Sequence, residues 1–252
     1  MTNKLRYFIA NWKMYGDLPS LKVLKDINFF LGKNKKTYRP KVVACVPNTL
    51  IKMFSIKMRG GRISIGAQNC HLYEGYGPHT GSISTLMLKN SGAKYIILGH
   101  SDNRQEGETN QQLKQKINLS LNQKMKVIFC IGETLKERKK NKTYNVLTNQ
   151  LNNILNKNLN FNNIIFAYEP VWSIGTGKIP KLLELEKVIK FIKIFLRKKL
   201  KIAKYPKVIY GGSVNPDNVH IFSSINEIDG FLIGSASLSS KKFIDIIKNY
   251  YR

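Results

Sequence analysis

Eight short apolar runs recur along the chain, and their spacing limits what it can fold into. They are "LRYFIA" (5–10), "KVVACV" (41–46), "RISIGA" (62–67), "KYIIL" (94–98), "KVIFC" (126–130), "NIIFAY" (163–168), "KVIY" (207–210) and "GFLIG" (230–234). Each is rich in Val, Ile, Phe or Tyr and too short for a stable helix, so each predicts a strand. Several are apolar at consecutive positions, the pattern of strands covered on both faces. The stretches between them carry helical signals. Leu182, Leu185, Val188, Ile189, Ile192 and Leu196 share one face with lysines between them, and Leu21, Leu24, Ile27 and Leu31 mark a second helix. Residues 215–224 open on "NPDN", a cap followed by a first-turn proline, which predicts a third.

Repeated βα alternation needs crossovers and gives a parallel sheet. Eight units in 252 residues, without a linker-like gap or an internal repeat, suit a closed (β/α)8 barrel with parallel strands, one domain over 1–252. The rival is an open doubly wound sheet. It favours a GxGxxG turn after the first strand, and "IANWKM" is nothing like that. The 42% hydrophobic content is enough for one sizeable core.

The charge balance is extreme, with 42 Lys plus Arg against 15 Asp plus Glu, a net +27. A basic stripe would serve a nucleic-acid or membrane partner. No one segment collects the charge, and no basic block is interleaved with aromatics. The excess therefore reads as exchange of Lys and Asn for one another and for acids along the surface, as in "NQLNNILNKNLNFNN" (149–163), and no specific nucleic-acid partner is expected. Cys45, Cys70 and Cys130 form no disulfide framework and no CxxC metal pair, which fits a reducing compartment. The apolar run after Lys4 and Arg6 ends at Ala10, too short for a signal peptide, and nothing approaches the ~20 apolar residues of a membrane span. A cytoplasmic protein without a membrane partner is expected.

In a barrel of this type the C-terminal strand ends carry the chemistry. The first is followed by Asn11, Trp12 and Lys13, the fourth by Gly99, His100 and Ser101, the sixth by Glu169, the seventh by Gly211, Gly212 and Ser213, and the eighth by Gly234 and Ser235. Together these are a carboxylate, an imidazole, a cation and small residues with free N–H groups. Taken singly, Glu169 could be a solvated surface acid, His100 a core histidine, and Lys13 one lysine among many. Pro170 nevertheless fixes the backbone after a scarce acid. "IGTGK" (174–178) is too long for a tight turn, and its glycines let the backbone approach a ligand. It is not a Walker A loop. A turn such as Gly211-Gly212-Ser213 presents N–H groups to an anion, and phosphate sites after strands seven and eight recur in this architecture.

"ANWKM" (10–14), "GHS" (99–101), "CIGETL" (130–135), "AYEPVWSIGTGK" (167–178), "YGGSV" (210–214) and "GFLIGSASL" (230–238) closely resemble the triosephosphate isomerase family, in the family's order and over almost the full chain. The resemblance implies a TIM barrel that interconverts glyceraldehyde 3-phosphate and dihydroxyacetone phosphate through an enediol or enediolate, a step of glycolysis and gluconeogenesis, with no metal or organic cofactor. It makes Glu169 the carbon base, His100 a neutral electrophile, and Lys13 and Asn11 the groups that hold the anionic substrate. It gives phosphate N–H donors at Gly175, Ser213, Gly234 and Ser235, a lid at about 171–179, and a homodimer. The family is itself a well-known example of pKa tuning, with a glutamate base and an imidazole kept neutral by a helix N-terminus.

The chain departs from the family pattern at several points. Asp102 and Asn103 stand where the family usually has Glu and Arg. Ser82 follows Thr80 and Gly81 where a Glu is usual, Gly234-Ser235 replaces a Gly-Gly pair, and "KIP" (178–180) ends the lid where Lys-Thr-Ala is frequent. Two other readings stay open on sequence alone. One is another phosphate-binding barrel, which would not need the lid and the His/Glu/Lys set together. The other is a basic nucleic-acid-binding protein on a barrel scaffold.

Overall fold

The computed structural model describes residues 6–35, 37–155 and 160–252. Leu5 of the first apolar run and residues 156–159 of the Asn-rich stretch lie outside the described residues. The eight expected strands are all present, with ends within a residue of those read from the sequence. They are β1 (Arg6–Asn11), β2 (Pro40–Cys45), β3 (Ile63–Ala67), β4 (Tyr95–Leu98), β5 (Lys126–Ile131), β6 (Ile164–Tyr168), β7 (Lys207–Tyr210) and β8 (Gly230–Ile233). All pair in parallel in sequence order, and β8 returns to β1 through Tyr7↔Gly230 to Ala10↔Ile233, closing the barrel. The described helices are α1 (Leu21–Lys33), α2 (Asn48–Lys57), α3 (Thr85–Asn90), α4 (Ser101–Gln105), α5 (Asn110–Asn122), α6 (Leu135–Lys139), α7 (Thr143–Ile154), α8 (Leu182–Leu200) and α9 (Ser240–Tyr251). None of them is long and apolar enough to cross a membrane.

Strand side chains alternate between two cores. One fills the lumen, with Ile9, Val43, Ile97, Ile128, Ile165 and Ile209 among its members. The other lies between strands and helices, where Phe8, Phe129, Phe166 and Phe231 meet helix residues such as Leu24, Ile27, Leu185 and Ile189. Most strands are thus apolar on both sides, which explains the consecutive apolar letters; β3 is an exception, facing the lumen with Ser64 and Gly66. The same alternation positions the site. Counting upward in twos, Tyr7 and Ile9 lead to Asn11, Ile165 and Ala167 lead to Glu169, and Ile209 leads to Gly211. Asn11, Glu169 and Gly211 thus continue lumen-facing rows, while His100 is set by its loop.

One expected helix is absent. Residues 215–224 form a turn and then a 3-10 segment, Val219–Ser224. Asn215 Oδ1 accepts from the N–H groups of Asp217 (2.9 Å) and Asn218 (3.0 Å), and Asn218 Oδ1 accepts from the N–H of Asn215 (2.9 Å). Short amide side chains satisfy the backbone locally and compete with the helix they were expected to cap.

Barrel closure needs a residue without a side chain at Gly230. Its φ is +149°, and a Cβ there would lie 2.0 Å from the carbonyl oxygen of Tyr7 on the partner strand. Gly230→Ala should therefore destabilise the fold by about 3 kcal/mol or more, as backbone strain and overpacking together do. A urea titration would show it as a lowered midpoint; an unchanged midpoint would mean that β1 and β8 can separate at no cost.

Candidate active site

The loop after β6 begins with Glu169, whose side chain is 4% exposed. Burial raises its pKa; the facing His100, a hydrogen bond with Cys130 and the Lys13 charge pull it down by less. The carboxylate has room because Gly211 follows β7; a Cβ there would lie 2.7 Å from Glu169 Cγ. At Gly212 a Cβ would strike the Tyr210 hydroxyl at 2.1 Å and Ser173 Oγ at 2.6 Å. The paired glycines of "YGGS" thus admit the acid on one side and the lid's first turn on the other.

His100 ends the loop after β4 and caps α4. Its Nδ1 accepts the N–H of Asp102 at 3.1 Å. With Nδ1 accepting, Nε2 carries the ring N–H, and it faces Glu169 Oε1 at 3.4 Å. Lys13 sits at φ +55°, with its N–H donating to Asn11 Oδ1 at 3.1 Å. Its ammonium pairs with Asp102 Oδ2 at 3.0 Å, and the same oxygen lies 3.4 Å from His100 Nδ1. Asn11, Lys13, Asp102, His100 and Glu169 therefore form one chain of contacts across strands one, four and six. The shorter acid at 102 still reaches the lysine. Arg104, retained in "SDNR", ties β4 to β5: its Nε donates to Gly99 O (2.8 Å) and its guanidinium reaches Cys130 O (3.3 Å).

The lid segment starts on a 3-10 turn, Val171–Ser173. Ser213 Oγ donates to Ser173 O (2.7 Å) and accepts from the Gly177 N–H (3.1 Å), so the loop after β7 is tied to the 171–179 segment at two points. Gly175 lies at the exposed tip with φ +69°. Gly234 and Ser235 follow β8, beside Asn11 through the Ala10↔Ile233 pairing. Ser235 opens a right-handed 3-10 turn and is not among the positive-φ residues, so its side chain carries no backbone penalty there. These two residues join the site through strand register and through no hydrogen bond to Glu169 or His100.

Glu133 lies within "CIGETL", and sequence reasoning assigns it no role. It is fully buried and accepts from Tyr168 OH (3.1 Å) and Trp172 Nε1 (3.1 Å), while Arg138 lies 3.6 Å away and also pairs with Glu184. Its backbone oxygen takes the N–H of Val171 (3.0 Å). An acid just past an apolar strand was the available signal, but the donors that hydrogen-bond its carboxylate, Tyr168 and Trp172, are 35 and 39 positions away.

Fold and site together define a (β/α)8-barrel enzyme of the aldose-ketose isomerase class. The triosephosphate isomerase family model matches residues 6–250, and the chain belongs to that family. A triosephosphate isomerase of Alkaliphilus oremlandii is 37% identical over 243 residues, covering 94% of this chain and 96% of the relative. One of Bartonella henselae is 39% identical over 254 residues and covers 99% of both. The crystal structure of triosephosphate isomerase from Bartonella henselae superposes with a TM-score of 0.86 at 35% identity, over 98% of this chain and 99% of that one. The reaction is the interconversion of glyceraldehyde 3-phosphate and dihydroxyacetone phosphate by proton transfer, a glycolytic step.

Glu169 also sets a pH dependence of stability. Its folded pKa is raised, so folding favours the protonated acid. The stabilising contribution is complete below the ordinary carboxylate range and is lost as pH rises through the raised value. Above the ordinary carboxylate range the carboxylate therefore weakens the fold relative to a neutral side chain. Glu169→Gln should raise the denaturation midpoint at pH 7 and lose that advantage as pH falls below the ordinary carboxylate range, to about pH 3, where the acid is neutral in both folded and unfolded states. A variant less stable than the parent at pH 7 would show that the contacts of the carboxylate outweigh its desolvation.

Proposed function

We propose that Glu169 is the base that moves the carbon-bound proton, with His100 as the electrophile. The observation that carries this is a water-excluded carboxylate facing an imidazole whose other nitrogen is already occupied by a backbone N–H. A raised pKa gives the carboxylate enough basicity to take a proton beside a carbonyl. Nε2–H of His100 donates to the carbonyl oxygen and shuttles protons between the two substrate oxygens. Lys13 supplies the positive charge that stabilises the developing enediolate, and Asn11 orients both lysine backbone and substrate. Backbone N–H groups of Gly175, Ser213, Gly234 and Ser235 take the phosphate as the lid closes, which excludes water and protects the enediolate from losing phosphate.

The test is a coupled assay with glyceraldehyde 3-phosphate. Glu169→Asp withdraws the carboxylate by about one methylene, and a misplacement of ~1 Å lowers turnover about 10²-fold. KM should change little. Near-normal turnover would remove Glu169 from the role of base.

The same reading extends to a cytoplasmic homodimer. Its support is an exposed apolar set beside the site: Met14, Tyr15 and Leu18 after β1, and Tyr73 and Tyr76 in the loop that carries Thr80 and Gly81. Ser82 and Asn103 lack the charges usual in the family, and losing both leaves neither one stranded. The three free, buried cysteines fit a reducing compartment. Sedimentation across a concentration series should give a dimer at micromolar concentration, weakened by Ser82→Glu or Asn103→Arg alone and recovered by the pair. A monomer with full specific activity would overturn this interface.

A further inference from the structure

The opposite end of the lumen carries charge that the reaction does not use. The first inward-facing positions of β1, β2, β4, β5 and β7 are Tyr7, Lys41, Tyr95, Lys126 and Lys207. Strand alternation sends these side chains into the barrel mouth rather than onto the outer surface, so these lysines differ from the exposed majority. Tyr7 and Tyr95 are buried in the lumen core. The Lys41 ammonium stands 5.6 Å from the Tyr7 ring centre, and that of Lys126 stands 5.8 Å from the Tyr95 ring centre. Each lysine thus rests on the ring of the neighbouring strand, paired as Tyr7↔Lys41 and Tyr95↔Lys126.

The two ammonium groups converge from β2 and β5, three strands apart around the closed barrel. They approach closely enough that, after burial, the charge of Lys126 is the next cause holding Lys41 below the usual lysine range. Like charges in a partly desolvated space repel. No acid relieves them: every Asp and Glu of the chain lies among the described residues, and none forms an ion pair with Lys41 or Lys126. The nearby carboxylate, Asp229, is committed to Lys193 (2.7 Å), Lys207 (3.1 Å) and the N–H of Val208 (3.0 Å).

We propose that the N-terminal mouth of the barrel is an anion site, in which Lys41 and Lys126 clamp a small multivalent oxyanion of the phosphate type at the end of the lumen opposite Glu169. One such ion accepts charge-assisted hydrogen bonds from both ammonium groups and replaces their repulsion with two attractions. It binds only the folded barrel, where β2 and β5 face each other, so it stabilises the fold by linkage.

Equilibrium dialysis with labelled inorganic phosphate, at pH 7 and fixed ionic strength, tests the site. The active-site end also takes phosphate, so the comparison is with Lys41→Met/Lys126→Met, which leaves that end intact. Lys241→Met/Lys242→Met, on the exposed start of α9, controls for surface charge. The parent and the surface control should retain an equivalent of phosphate that the mouth variant loses, while KM for glyceraldehyde 3-phosphate stays within about twofold across all three. In phosphate-free buffer the mouth variant should unfold no lower than the parent, because a repulsion is gone, and added phosphate should raise its Tm less. Should the double variant fail to fold, Lys126→Gln alone carries the same comparison. Competition by glycerol 3-phosphate would identify a phosphate ester as the occupant, and its absence would identify the free ion. Equal stoichiometry and equal phosphate-dependent Tm shifts in parent and mouth variant would overturn the proposal.

Discussion

The pairing of β1 with β8 is the contact on which the remaining geometry depends. It converts a row of parallel strands into a closed ladder without edges, and closure forces one set of alternating side chains into a common lumen. Asn11, Glu169 and Gly211 come from strands far apart in sequence, yet each continues a lumen-facing row. Their meeting is therefore a consequence of register. Loops add the rest: the His100 cap on α4 and the left-handed turn at Lys13 bring an imidazole and a cation to the same end.

A fold built this way places Glu169 where little water reaches it, and the surrounding residues show how that is tolerated. Gly211 leaves the space, His100 faces the carboxylate, and Lys13 lends a positive charge already shared with Asp102. These contacts offset part of the desolvation. The unfavourable remainder raises the basicity of the carboxylate, so under the proposed role stability and reactivity would draw on the same group in opposite senses.

The barrel was legible because most strands report their environment directly in their letters: apolar on both faces, short, and repeated around eight units. The strand-end residues were legible as positions, and the resemblance supplied their roles. Three things were not legible from local pattern. The "NPDN" helix gave way to side-chain turns, since Asn caps a helix and an Asx turn with the same atoms. The grip of Asp102 on Lys13 joins residues 89 positions apart, and no spacing rule reaches that far. The hydrogen-bond donors to the Glu133 carboxylate come from β6 and the segment after it, so its role exists only once the barrel has closed.

The buried acids suggest where this chain can and cannot change. Glu133 accepts hydrogen bonds from a tyrosine and a tryptophan, Asp229 holds two lysines and an amide, and Glu108 holds the inward-lying Lys116. Replacing any of them strands donors away from water, whereas an exposed acid can become lysine or asparagine at little cost to the fold. A sequence can therefore drift to a net charge of +27 and keep its architecture, provided that the drift stops at these few interior carboxylates. For this molecule, mutational tolerance is set by which acids have partners, and net charge is a poor guide to how far it stands from its relatives in structure.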